Sequence, residues 1–115
     1  MITDESAFPT IINSKVDLDA IAPLNSTKHV LKCWPVFFQA ILDGRKTHDL
    51  RRSDDRNFSV GDLIQLREFD PKAERYSGRE LTVEVTYLTS ADVPCALSAR
   101  ALDRNFCILS IKKLT

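Results

Sequence analysis

Between Arg79 and Leu88 the chain alternates strictly. Leu81, Val83, Val85 and Tyr87 are apolar or aromatic, and Thr82, Glu84 and Thr86 between them are polar. A period of two sends successive side chains to opposite faces of a strand, so this segment reads as a strand with one buried and one wet face. Such a strand needs neighbours in a sheet and apolar cover on its buried side.

The neighbours can be read on either side. Lys28–Cys33 reads as a first strand, Thr47–Arg52 as a second, Leu63–Phe69 as a third and Phe106–Lys112 as a closing strand whose run Phe106-Cys107-Ile108-Leu109 suggests burial on both faces. Asp70–Gly78 is rich in turn formers and reads as a hairpin loop, with Arg79–Leu88 as the fourth strand. The cover comes from Pro35–Asp43. Pro35 suits a first helical position, where its missing N–H is not needed. Phe37, Phe38, Ile41 and Leu42 recur at helical spacing, and Gly44 falls where a left-handed C-cap would sit. Gly61 is expected to adopt a positive φ and Asp62 to bond turn amides. A turn of helix is expected near Ala96–Leu102. One helix and about five sequential strands imply an α+β fold: a small, mostly antiparallel sheet, curled into a partial barrel with the helix at its mouth. Leu81, Val83, Val85 and Tyr87 should share a core with Leu31, Phe37 or Phe38, Ile41, and Leu109 or Ile111.

A chain of 115 residues makes one such domain, residues 28–115, preceded by an appendage over residues 1–27. The appendage is apolar enough to lie partly ordered on the body, with a turn or two of helix over residues 17–22. Its net charge is −3 against +3 for the rest. A formal net charge of zero argues against coating nucleic acid by bulk charge and leaves room for a local basic patch. Cys33, Cys95 and Cys107 lack metal-ligand spacing and read as buried thiols in a reducing cytosol. No metal or cofactor is expected, and no apolar run reaches membrane-spanning length.

Directly after the helix come Arg45, Lys46, Thr47, His48, Asp49, Arg51 and Arg52, a basic corner on a rigid support. Each has two readings. Lys46 is either a phosphate contact or a solvated cation at the negative end of the helix dipole. Thr47, Asp49 and Arg51 share one strand face. Arg51 and Asp49 form either a structural ion pair or a bidentate phosphate donor oriented by its carboxylate. Thr47 bonds a ligand or caps the strand. Trp34 stacks on a base or joins the core. One of Phe37 and Phe38 must face away from the core of so short a helix. Tyr76 is a stacking platform or a loop aromatic, and His29 and His48 read as structural or surface histidines.

Several segments together resemble a known family. They are Leu31-Lys32-Cys33-Trp34-Pro35, Phe37-Phe38, Gly44-Arg45-Lys46-Thr47, Leu50-Arg51, Val60-Gly61-Asp62, Leu66–Asp70, Gly78-Arg79-Glu80, Val83–Tyr87 and Leu109–Lys112. Over residues 28–114 the chain resembles an ASCH-type domain of the PUA-like superfamily of pseudo-barrels, especially its short bacterial and phage members. The resemblance implies binding of RNA or a nucleotide in a cleft beside the helix, lined by the Gly-x-Lys-Thr segment. Some small members of that family are amidohydrolases acting on an acylated cytidine through the motif lysine, a threonine two residues past the motif threonine, and a downstream glutamate. Here Lys46 matches the lysine, Asp49 stands at the second threonine position, and no glutamate follows Tyr87.

The expectation is therefore a monomeric, cytosolic RNA- or nucleotide-binding module rather than an enzyme, using Lys46, Thr47, Asp49, Arg51 and Trp34. Two alternatives stand beside it. One is an amidohydrolase on a modified nucleoside using Lys46 and Asp49. The other is a protein-binding phage or mobile-element factor that uses residues 1–27.

Overall fold

A computed structural model describes residues 27–114. The expectations for the appendage, Thr27 apart, concern residues outside that range. The elements in order are β1 (Lys28–Cys33), α1 (Pro35–Leu42), β2 (His48–Arg52), β3 (Leu63–Asp70), β4 (Arg75–Ser90), α2 (Ser98–Ala101) and β5 (Phe106–Lys113). The five strands form one curled sheet, a half-barrel, in the order β1-β3-β4-β5-β2. β1 runs parallel to β3, and every other pairing is antiparallel.

Alternation decides which side chains line the concave face. Ile64 and Leu66 of β3, Leu81, Val83 and Val85 of β4, and Cys107, Leu109 and Ile111 of β5 are buried there with Cys33 of β1. α1 closes over them. Pro35 occupies its first turn, Gly44 adopts φ +81° just past its end, and Phe38 and Ile41 are its buried residues. An eight-residue helix is unstable alone in water, so this packing is what holds it. Phe37 turns outward and stacks on Trp34, with ring centroids 6.2 Å apart. Leu31 is only partly buried against the core.

Four expectations need correction. Tyr87 is 61% exposed, not in the core. The register slips by one residue between Val85 and Tyr87, and the Thr86 hydroxyl donates to the Ser110 carbonyl at 3.3 Å. A bulge of this kind exchanges the two faces, so Leu88 packs on the core instead. The β3–β4 hairpin is also tighter than its composition suggests. Asp70 accepts from the amides of Lys72 and Ala73, Glu74 takes φ +56°, and β4 begins at Arg75. On β5 burial alternates, with Cys107, Leu109 and Ile111 buried and Phe106 and Ile108 half-buried. Of the cysteines, Cys33 and Cys107 are buried and Cys95 is exposed.

The start of β3 is tied down by one buried carboxylate. Asp62 accepts from the Thr27 amide, the Ser59 amide and His29 Nε2, each at 2.9 Å. His29 lies under the Phe58 ring at a centroid distance of 4.6 Å, so this histidine belongs to the interior. Gly61 supplies the positive φ the turn needs, +97°.

β1 and β2 are the two edges of the sheet. Arg51 of β2 crosses between them. Its Nε donates to Asp49 at 2.8 Å and its Nη2 donates to the Lys32 carbonyl of β1 at 2.9 Å. A carbonyl of the edge strand is thereby bonded from the opposite edge, which holds the curl of the sheet.

Two predictions follow from this packing. Val83→Ala should cost about 1–3 kcal/mol in a urea melt, and Tyr87→Ala less than about 0.5 kcal/mol; equal losses would contradict the bulge. Arg51→Lys should cost about 1–3 kcal/mol, because an ammonium cannot reproduce the guanidinium's two-sided bonding. Unchanged stability of Arg51→Lys would rule out the edge bridge as a support of the fold.

Candidate functional site

The end of α1 is built by its own carbonyls. The amides of Arg45 and Lys46 both donate to the Ala40 carbonyl, at 2.9 and 3.1 Å, and the Gly44 amide donates to Ile41 at 3.0 Å. Gly44 has nothing within 4 Å of where a Cβ would stand, so its backbone angle, not space, calls for glycine. The Leu42 carbonyl accepts from Lys113 Nζ at 2.8 Å, a cation well placed at the negative end of the helix dipole. The amide of Ile111 donates to the Thr47 carbonyl at 3.0 Å, which seats the incoming strand β2 on β5.

These bonds frame a cavity of about 210 Å³ between the helix end, β2 and β5. Ile41 and Ile111 give it an apolar side. Gly44, Thr47, Lys46, Lys112 and Lys113 make up the rest, and among the described residues no carboxylate lines it. Lys46 is held in place: its Nζ donates to the His48 carbonyl at 2.7 Å and lies 3.8 Å from Asp49 Oδ1.

Behind Lys46, on the concave face, lies a layer of ionisable side chains. Asp49 is buried, with Lys46 beside one oxygen and Arg51 bonded to the other. The Cys33 thiol faces the same layer. Burial pushes its pKa up to about 11, and Asp49 raises it further against the opposing pull of Arg51 and Lys46; Glu68 adds a smaller upward push. Glu68 is itself 7% exposed and meets Arg79 through two hydrogen bonds, at 3.0 and 3.1 Å, as well as the Ser77 hydroxyl. The Arg79 guanidinium, first, and the Ser77 hydroxyl hold the Glu68 carboxyl below its ordinary range. Arg79 also donates to Gln39 of α1 at 3.0 Å and lies over the Phe38 ring. The layer is thus internally paired and clamps the helix to the sheet.

Of the residues singled out in the sequence, Lys46 and Thr47 line the cavity. Asp49 and Arg51 form the ion pair behind it, with Arg51 spent on the edge bridge. Trp34 stands apart at the start of α1, 53% exposed and stacked on Phe37. Lys112 and Lys113 were not singled out, although two adjacent lysines closing an apolar strand are visible in the sequence. The Glu68–Arg79 clamp carries no short-range signal, since eleven residues separate its members. His48 is exposed. Tyr76 is 40% exposed, with the Arg67 guanidinium over its ring.

A second cavity, of about 170 Å³, opens at the far end of β5 around Arg56, Phe58, Leu88 and Cys107, with the Asp92–Arg104 pair also lining it. Among the described residues no group of three or more His, Cys, Asp or Glu side chains is placed to hold a metal ion. No described helix is long and apolar enough to cross a membrane.

A search among curated proteins found no match for the chain. The family model described as "Domain of unknown function (DUF3850)" matches residues 28–111, from the first strand through Ile111 of β5. That span takes in β1 to β4, both helices and β5 as far as Ile111, leaving Lys112 and Lys113 outside it, so the chain belongs to the DUF3850 family.

Proposed function

We propose that this protein is a cytosolic, monomeric RNA- or nucleotide-binding module of ASCH-type, PUA-like architecture, which receives a phosphate of its ligand in the cavity beside α1. One observation carries the reading: Lys46, Lys112 and Lys113 line a single cavity with no carboxylate of the described residues in its wall. Lysines brought together beside one concave surface attract an anion better than the same charges spread over an exterior. The Thr47 hydroxyl supplies a neutral partner at the rim, and Ile41 and Ile111 offer contact to sugar carbons.

Trp34 extends the reading from a nucleotide to a strand. It sits at the opposite end of an eight-residue helix, roughly 12 Å from the cavity by helical rise. A ligand that touches both Lys46 and the exposed indole must span more than one nucleotide, and aromatic stacking is a common way to hold unpaired bases. Asp49 acts here by orienting Lys46, and Arg51 by holding the barrel edge.

A second reading, hydrolysis of an acylated cytidine, has one observation in its favour: Lys46, which lines the cavity, lies 3.8 Å from the buried Asp49 carboxylate. Both Asp49 oxygens already face cations, which suits positioning better than proton transfer.

Fluorescence anisotropy with short single-stranded RNAs at low salt tests the first reading. Lys46→Ala/Lys112→Ala should weaken binding about tenfold or more and lower the log–log salt slope by about one unit per lysine. Absence of binding by the wild-type chain, or binding untouched in the double variant, would refute it. Loss of the acyl mass from N-acylcytidine, abolished in Lys46→Ala, would replace it with the second.

A further inference from the structure

We infer that residues 8–12 of this chain, Phe8-Pro9-Thr10-Ile11-Ile12, pack on the exposed face of α1 around Trp34 and Phe37 and hold that face closed until a ligand displaces them. The closing role rests on the RNA-binding reading above; the contact itself does not.

The receiving face is apolar and open. Trp34 is 53% exposed, Val36 75% and Phe37 46%, and no other run of four described residues exposes three large apolar side chains. The Trp34 and Phe37 rings are stacked, with 22° between their planes, so they present one continuous surface. Contiguous apolar surface of this kind marks a place of contact.

Residues 1–26 carry the matching chemistry. Phe8 is their one aromatic residue, and Ile11 and Ile12 follow it within four positions. Asp4 and Glu5 stand just before it, and residues 1–26 sum to −3 against +3 for the rest of the chain. Near the face, Arg67 and Arg79 are answered by Glu80 and Glu68. Lys32 of β1 lies over the Phe69 ring and has no carboxylate partner among the described residues. A phenyl ring with carboxylates before it offers to Lys32 and Trp34 what an RNA strand offers, a ring to stack beside anionic groups.

The segment also reaches. The Thr27 amide is held by Asp62, and the path starts there. Seven residues of chain, mostly strand, lead from Thr27 to Trp34, roughly 23 Å. The fifteen residues from Ile12 to Thr27 span up to about 50 Å when extended. Val30, 51% exposed on the edge strand β1, lies along the way. A tether of this length presents its segment at roughly millimolar effective concentration, so a weak contact is enough to keep the face occupied.

Trp34 is the only tryptophan in the chain, so its emission reads this face alone. Acrylamide quenching is measured on the full chain and on Phe8→Ser/Ile11→Ser/Ile12→Ser, with far-UV circular dichroism to show that the sheet is intact. The quenching constant should rise about twofold in the triple variant, as a covered indole returns to a half-exposed one. Ile21→Ser should leave it at the wild-type value. A uridine hexamer, followed by anisotropy, should bind the triple variant about threefold more tightly than the wild type, because the competing segment is gone. Equal quenching in the wild type and the triple variant would overturn the contact, and an equal rise in Ile21→Ser would overturn its assignment to residues 8–12. Protection of Trp34 that grows with protein concentration would also overturn it, by giving the face to a second copy of the chain. Equal hexamer affinity in the two chains would overturn the closing role. If neither chain bound the hexamer while quenching changed as stated, the contact would stand and the closing role would fall with the RNA reading.

Discussion

The fold depends on one guanidinium that joins the two ends of an open sheet. Five strands that curl into a half-barrel leave two edges, β1 and β2, with backbone groups that no ladder satisfies. Arg51 spans from one edge to the other: it donates to the Lys32 carbonyl of β1 while its other side rests on Asp49 of its own strand. A planar, always-charged group with donors on two sides is well suited to that position. The bridge also fixes Asp49, which lies 3.8 Å from Lys46, and Lys46 lines the cavity at the end of α1. Curl, helix and cavity are therefore mechanically one unit.

Within that unit the charges divide into two populations. On the concave face Asp49 meets Arg51 and Lys46, and Glu68 meets Arg79. These partly buried groups satisfy one another, as burial of charge requires. They hold α1 down through Arg79, Gln39 and the Phe38 ring. At the helix end Lys112 and Lys113 arrive from β5 to line the cavity with Lys46, Glu84 standing opposite Lys112 on β4. The interior charges help give the barrel its shape, and at the mouth Lys46 and Lys113 are tied to the carbonyls of His48 and Leu42.

Local rules made much of this legible. Pro35 and Gly44 marked both ends of α1, the apolar spacing marked its face, and Val60-Gly61-Asp62 marked the turn that Asp62 anchors. The basic corner after Gly44 led directly to Lys46 and Thr47. What stayed hidden was set by pairing between distant segments. Tyr87 fits the alternation of its strand, and only the register against β5 shows the bulge that turns it outward. Arg51 could be read as a ligand donor or a structural one until β1 was seen to lie across from it. Lys112 and Lys113 meet Lys46 through sheet pairing across more than sixty positions, which no motif records.

The central claim is that the anion sits at the end of α1. The most direct measurement is a nitrogen-15 NMR titration of the full chain with a 5′-phosphorylated uridine hexamer. The account predicts that the first and largest amide shifts fall on Gly44, Lys46, Thr47, Lys112 and Lys113, the residues around the cavity. Shifts gathered instead around Arg56 and Arg104 at the second cavity, or around Tyr76 and Arg67 on the outer face, with the end of α1 unmoved, would contradict it.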